Sequence, residues 1–185
     1  MNRQLFMMRY LWGSLLASTG VNAALLVFEV FPTASDPRPP QILPMAFAGL
    51  AVALAAASFV VPRIVYKQAI AKSEVGIEEE RVPEVFGAGY RQAAPERRVF
   101  GDPEAAWREA AKCYLTPFIL GCALSELLAM LGFVLGILGF AAAAWAPFLI
   151  AAAALIAIRF PTRGRVTAPF EAAHGASFPE TGPKQ

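Results

Sequence analysis

One carboxyl lies in the middle of a long apolar stretch. Glu126 is the only Asp, Glu, Lys, Arg or His between Cys113 and Leu138, a run that reads CYLTPFILGCALSELLAMLGFVLGIL. An ionised carboxylate at the centre of a bilayer costs at least about 2.5 kcal/mol, so such an acid is normally protonated, paired or placed against a polar cavity. Glu126 is therefore the candidate ion-binding residue, for a proton or a cation.

The other residues that could do chemistry are scattered. His174 is the only histidine and lies in a tail that contains Pro and Gly, where we expect it to be solvated. Cys113 and Cys122 are nine positions apart on one apolar run, so they cannot bridge each other on one helix, and nothing near them indicates a metal site. Catalysis needs converging acids, bases or metal ligands. We expect a non-enzyme with no catalytic residues, no metal and no cofactor.

The apolar residues come in blocks, and hydrophobic residues make up 57% of the 185-residue chain. A helix needs about 20 apolar residues to cross the hydrocarbon core of a bilayer. Four blocks approach or exceed that length, and none alternates at period two as barrel strands do. The sequence therefore predicts an all-α integral membrane four-helix bundle with spans at Tyr10–Phe31, Leu43–Val61, Cys113–Leu138 and Ala141–Arg159.

The first block also resembles a signal peptide, because Arg3 and Arg9 precede it and Val21-Asn22-Ala23 has the small residues of a cleavage site. The apolar run continues to Phe31, however, so cleavage would cut a span in half. We favour a retained membrane anchor.

The basic clusters near the span ends all fall on one side of the four blocks, and the first outer loop has only Arg38, which Asp36 balances. With four spans, the basic residues at the N-terminus, in the long central loop and in the tail all fall on the cytoplasmic side. The sequence thus predicts an N-in/C-in protein of the cell (inner) membrane. The net charge of +2 and the lack of a basic stripe argue against nucleic acid as a partner.

The chain divides into four segments. Asp102-Pro103-Glu104 predicts a helix start that continues into the third span, so spans 2 and 3 extend into the cytoplasm as a helical hairpin. Val82–Gly101 has no period and is interpreted as irregular. The segments are 1–66 (spans 1 and 2 with a short outer loop), 67–111 (cytoplasmic loop with helical ends), 112–160 (spans 3 and 4) and 161–185 (a disordered cytoplasmic tail).

Small residues of the third span fall on one face of the helix. They step by three or four positions, which lets another helix approach closely, and close packing is a main source of helix association in lipid. The partner is either another helix of the same chain or a second subunit. The residues of this helix-packing face are Gly121, Ser125, Ala129, Gly132, Gly136 and Gly139.

Glu126 lies on the flank of that face, about 100° from its centre. One interpretation is a protonated structural acid, hydrogen-bonded to Ser18, Thr19 or Asn22 of the first span. The other is a working proton or cation site.

Two stretches carry a family resemblance. Ala48–Leu54 (AGLAVAL) resembles the start of the first helix of the rotary ATP synthase c subunit, and Ala123–Gly132 (ALSELLAMLG) resembles the ion-carrying stretch of its second helix. As in that family, a glycine follows the acid six positions later. The resemblance implies that Glu126 binds a proton or sodium and that the chain is part of a ring. The chain departs from the family in its longer central loop and its two additional spans.

The function we favour from the sequence is a non-enzymatic multi-pass membrane subunit, which serves as a scaffold, anchor or accessory component. Its expected partners are the lipid bilayer and either further copies of itself, through the small-residue face, or other membrane subunits. The alternative is a proton- or cation-translocating protein that uses Glu126.

Overall fold

The computed structural model describes residues 3–28, 42–81 and 96–179. Within them the chain forms five helices and one two-stranded sheet. In chain order these are α1 (Arg3–Val27), α2 (Ile42–Ala71), β1 (Ile77–Arg81), β2 (Glu96–Phe100), α3 (Pro103–Ile137), α4 (Ala142–Ala157) and α5 (Arg163–His174).

The prediction of helices that could span a membrane is confirmed for three helices. α1, α2 and α3 are each long and apolar enough to cross a membrane. α4 is apolar but has only 16 residues, so it is shorter than the predicted fourth span. It begins one residue later and ends two residues earlier than the predicted span. It follows a tight turn in which Gly139 has a φ of 81° and its N–H donates to Gly136 O at 3.0 Å.

The start of α3 follows the prediction. Asp102 Oδ1 accepts hydrogen bonds from the N–H groups of Glu104 and Ala105, both at 2.9 Å, and Pro103 occupies the first turn. The helix continues without a break for 35 residues, about 50 Å at 1.5 Å per residue. The other helices pack around it, and it carries most of the buried residues of the bundle.

The loop between α2 and α3 contains a β-ribbon that the sequence analysis did not predict. β1 and β2 pair antiparallel, with Glu79 opposite Arg98 and Ile77 opposite Phe100. The prediction of irregular structure over Val82–Gly101 is therefore wrong for Glu96–Phe100, while residues 82–95 lie outside the described ranges. Arg98 Nε lies 3.7 Å from Glu79 Oε1 across this ribbon, and Phe100 is buried at its end. Both contacts favour pairing of a segment without clear periodicity.

The prediction of a disordered tail over 161–185 is also wrong for most of its length. Thr162 Oγ1 caps α5 by accepting from Arg165 N at 3.3 Å, and Gly175 ends the helix with a φ of 62°. Val166 and Phe170 are four positions apart, so they share one helix face, and both are completely buried. That apolar face explains why the segment is ordered despite its Pro and Gly residues.

One hydrophobic cluster joins the ribbon and α5 to the ends of the long helices. It contains Met8 near the start of α1, Trp107 near the start of α3, Phe100 of β2 and Phe170 of α5. The final turns of α2 pack against it through Ile70. We call this assembly the cap. The beginning of α1, the end of α2, the beginning of α3 and α5 therefore meet at one end of the bundle.

Candidate functional site

Glu126 of α3 is bonded to two consecutive hydroxyls of α1. Ser18 Oγ donates to Glu126 Oε1 at 2.7 Å, and Thr19 Oγ1 donates to Oε2 at 3.1 Å. Two of the three partners proposed from the sequence thus contact the carboxyl. The third, Asn22, is not among its hydrogen-bond partners, and its Nδ2 is buried without a partner in the described part of the chain.

The hydroxyl of Thr19, which contacts Glu126, has a second hydrogen-bond partner. Thr19 Oγ1 also lies 3.2 Å from Leu15 O, so its single proton has two acceptors within reach. A carboxyl that carries a proton can donate it to Thr19 Oγ1, and Thr19 then donates to Leu15 O. The contact between Glu126 and Thr19 can therefore form with either side chain as the donor.

Arg159, just after the end of α4, reaches between α2 and α3. Its guanidinium donates to Ser58 O and Ser58 Oγ, both at 2.9 Å, and to Ser125 Oγ at 3.0 Å. Its Cζ lies 4.9 Å from the centre of the Phe59 ring, a distance typical of a cation–π contact. One side chain therefore connects three helices.

Both serines are almost fully buried, and each uses its own proton elsewhere. Ser58 Oγ donates to Ala55 O at 2.7 Å and Ser125 Oγ donates to Gly121 O at 2.9 Å, so both oxygens are free to accept from Arg159. A Cβ at Gly121 would lie 3.0 Å from Arg159 Nε. The absence of a side chain at Gly121 thus makes room for the guanidinium.

Arg159 and Glu126 do not neutralise each other. Ser125 and Glu126 are neighbours in sequence but point about 100° apart on a helix, so one meets Arg159 and the other meets α1. Among the ion pairs of residues 3–28, 42–81 and 96–179, none joins these two side chains. The bundle therefore contains two separate polar contacts at neighbouring positions of α3.

The small-residue face of α3 is covered by helices of the same chain. A Cβ at Gly132 would lie 2.8 Å from Phe148 Cβ and 2.9 Å from Trp145 O of α4, and one at Gly136 would meet Leu26 of α1. Ser125 and Ala129 are fully buried. Gly139 was included in this face by its spacing, but it lies beyond the end of α3 and is exposed in the turn, so its small size serves the backbone conformation.

The remaining reactive residues are in structural positions. Cys113 and Cys122 are buried and free. His174 is not in a solvated tail as expected. Its ring lies 4.3 Å from that of Phe170 and its Nε2 is 3.2 Å from Ser73 Oγ. No group of three or more His, Cys, Asp or Glu that could hold a metal occurs within the described residues.

Sequence reasoning missed the role of Arg159, which it counted only with the positive charges of the tail. Two signals could have found it. Arg159 is the first charged residue after Glu126, at the end of an uninterrupted apolar stretch, and Ser58 and Ser125 are polar residues inside predicted spans. A long cationic side chain at a helix end and hydroxyls on neighbouring helices are complementary.

No family model matches this sequence, and searches of curated proteins and of solved structures found no significant match.

Proposed function

We propose that this chain is a non-enzymatic, multi-pass subunit of the cell (inner) membrane that acts as a scaffold, anchor or accessory component. One observation carries the proposal: both oxygens of the intramembrane carboxyl are bonded to hydroxyls of α1. A carboxyl held in this way ties two helices together and needs no further ligand. The guanidinium of Arg159 is likewise fully engaged with α2 and α3.

A fourth span is supported by the way α4 packs. Phe148, near its start, contacts α3 at Gly132, and Arg159, after its end, contacts α3 at Gly121 and Ser125. α4 therefore lies antiparallel to α3 through the part of the bundle that contains Glu126. Its 16 residues measure about 24 Å, and Arg159 can extend its charged end toward the interface.

The N-in/C-in orientation is supported by the cap. Because the start of α1 and the whole of α5 pack into one cluster, both lie on the same side of the bundle. Cytoplasmic placement of this side follows from the many Lys and Arg residues there.

The small-residue face of α3 is covered within the chain, so self-association through small residues has to use a different face. Ala46, Gly49, Ala53 and Ala56 recur every three or four positions on α2 and are all exposed, and nothing lies within 4 Å of a Cβ placed on Gly49. We propose this α2 face as the contact with another copy or another membrane subunit.

The alternative function is ion translocation by a protein similar to the c subunit. The observation that favours it is the position of Glu126, a partly buried acid in the middle of the apolar stretch of α3. Liposomes containing the wild type or Glu126→Gln separate the two functions in a proton- or sodium-flux assay. The scaffold function predicts flux equal to that of empty liposomes for both proteins. Flux in the wild type that Glu126→Gln abolishes would establish the alternative.

A further inference from the structure

The cap contains an open cavity of about 530 Å³ that plays no part in the contacts described above. Its wall includes Arg3 of α1, Arg108 of α3 and Arg163 of α5, together with Gln4 and Glu104. Three elements that are distant in sequence thus each contribute one arginine. The volume is in the range of small-molecule sites.

The three arginines are available to a ligand. All three are exposed, and among the described residues none of them forms an ion pair with Asp or Glu. Among the described residues of the wall, Glu104 is the only acid, so positive charges outnumber negative ones there by three to one. Like charges brought together without a counterion repel one another, which an anion in the cavity would relieve.

The Trp107 ring positions one of the three arginines. Trp107 forms part of the cavity wall and is 7% exposed. The Cζ of Arg163 lies 5.8 Å from the centre of the Trp107 ring, which holds that guanidinium at the cavity.

The cavity lies near the level of the lipid headgroups. Trp107 and Arg108 precede Cys113, where the apolar run begins, by six and five residues, or about 8 Å at 1.5 Å per residue. The headgroup layer extends about 5–7 Å beyond the hydrocarbon core on each side. Arg108 would therefore lie at the outer edge of that layer, where its long side chain can reach an anionic group at the membrane surface.

We propose that this cavity binds a phosphate group, with Arg3, Arg108 and Arg163 as the binding residues. Guanidinium groups suit phosphate because their paired N–H groups match two phosphate oxygens. The phosphate belongs either to an anionic phospholipid of the inner leaflet or to a small soluble phosphate ester. The lipid source rests on the proposed membrane function, whereas the soluble source does not.

The test uses the full chain purified in a neutral detergent. Dissociation constants are measured for short-chain phosphatidylglycerol, short-chain phosphatidylcholine, glycerol phosphate and inorganic phosphate. The double variant Arg108→Gln/Arg163→Gln is compared with Lys67→Gln/Lys72→Gln, which removes the same charge from exposed positions at the end of α2. Melting temperatures establish that each variant is folded, and Arg3→Gln replaces the double variant if that one does not fold.

We expect phosphatidylglycerol to bind at least about tenfold more tightly than phosphatidylcholine, and the double variant to lose at least about tenfold in affinity. The lysine variant should change affinity less than twofold. Tight binding of glycerol phosphate or inorganic phosphate would identify a soluble ligand. The proposal would be overturned if the two lipids bound equally well and neither glycerol phosphate nor inorganic phosphate bound. It would also be overturned if the arginine and lysine double variants lost the same affinity. Extraction of the protein from membranes at alkaline pH would contradict the proposed function alone.

Discussion

Ser18 and Glu126 are 108 positions apart in sequence, and a hydrogen bond of 2.7 Å joins Ser18 Oγ to Glu126 Oε1. With the neighbouring contact from Thr19, it fixes α1 against α3 near the middle of the bundle. A carboxyl that would be unfavourable in lipid thus becomes a specific contact between two helices.

Replacing Glu126 tests how much its hydrogen bonds contribute to stability. Glu126→Gln should change the free energy of unfolding in detergent by less than about 1 kcal/mol, because an amide can accept from Ser18 and donate to Thr19. Glu126→Leu should destabilise by about 1–3 kcal/mol, because it removes the acceptor of Ser18. Equal stability of Leu and Gln variants in thermal denaturation would contradict the structural role.

Arg159→Lys tests the contact that joins α2, α3 and α4. An ammonium cannot reproduce the planar fork that reaches Ser58 and Ser125 together, so we expect a loss of about 1–2 kcal/mol of stability. Arg63→Lys is the matched control, since Arg63 is exposed at the same end of the bundle. The same melting temperature for both variants would show that Arg159 does not stabilise the contact between the three helices.

Gly132→Leu and Gly49→Leu should behave differently. Gly132 contacts the backbone of α4, so a leucine there should cost about 1–3 kcal/mol through overpacking. Gly49 has open space around it, so a leucine should leave the stability of the monomer unchanged and reduce particle size if the α2 face mediates self-association. Thermal denaturation and light scattering in mild detergent provide the two measurements. An unchanged melting temperature for Gly132→Leu would mean that α4 does not pack there.

Phe170→Ala tests the ordered tail. Phe170 is completely buried beside Phe100, with ring centres 5.6 Å apart, and its truncation should cost about 3–5 kcal/mol. The weakened α5 should be cleaved faster by trypsin after Arg163 and Arg165. Ala172→Ser, at an exposed position of the same helix, should be cleaved at the wild-type rate. Rapid cleavage of the wild type itself would contradict a docked α5.

Membrane sidedness can be measured with single cysteines in a variant whose Cys113 and Cys122 are changed to alanine. A cysteine at Glu79 of β1 should react only from the cytoplasmic side, and one at Asp36 only from the outside. Reaction of both from the outside would exclude the four-span, N-in arrangement.

The sequence by itself determined the three long helices of the bundle. A run of about 20 apolar residues has to satisfy its backbone within a helix, whatever its neighbours are, so α1, α2 and α3 could be predicted locally. The Asp102-Pro103 start of α3 is also a local signal, since the N-cap residue Asp102 and the first helical turn lie within a few residues of each other. The three candidate partners of Glu126 could be proposed because polar residues in an apolar helix are few.

Only the tertiary structure decided what those helices and their polar residues contact. The order of the tail depends on burial of Phe170 against Phe100, which is 70 positions away, and no local pattern encodes that contact. Arg159 was indistinguishable from other flanking charges until α4 placed it between Ser58 and Ser125. The small-residue face of α3 fits a partner from the same chain or from another, because close packing has the same requirements in both cases. Which of the two partners is used depends on how distant segments pack and not on their composition. The same holds for Arg3, Arg108 and Arg163, which come together in one cavity only in the folded chain.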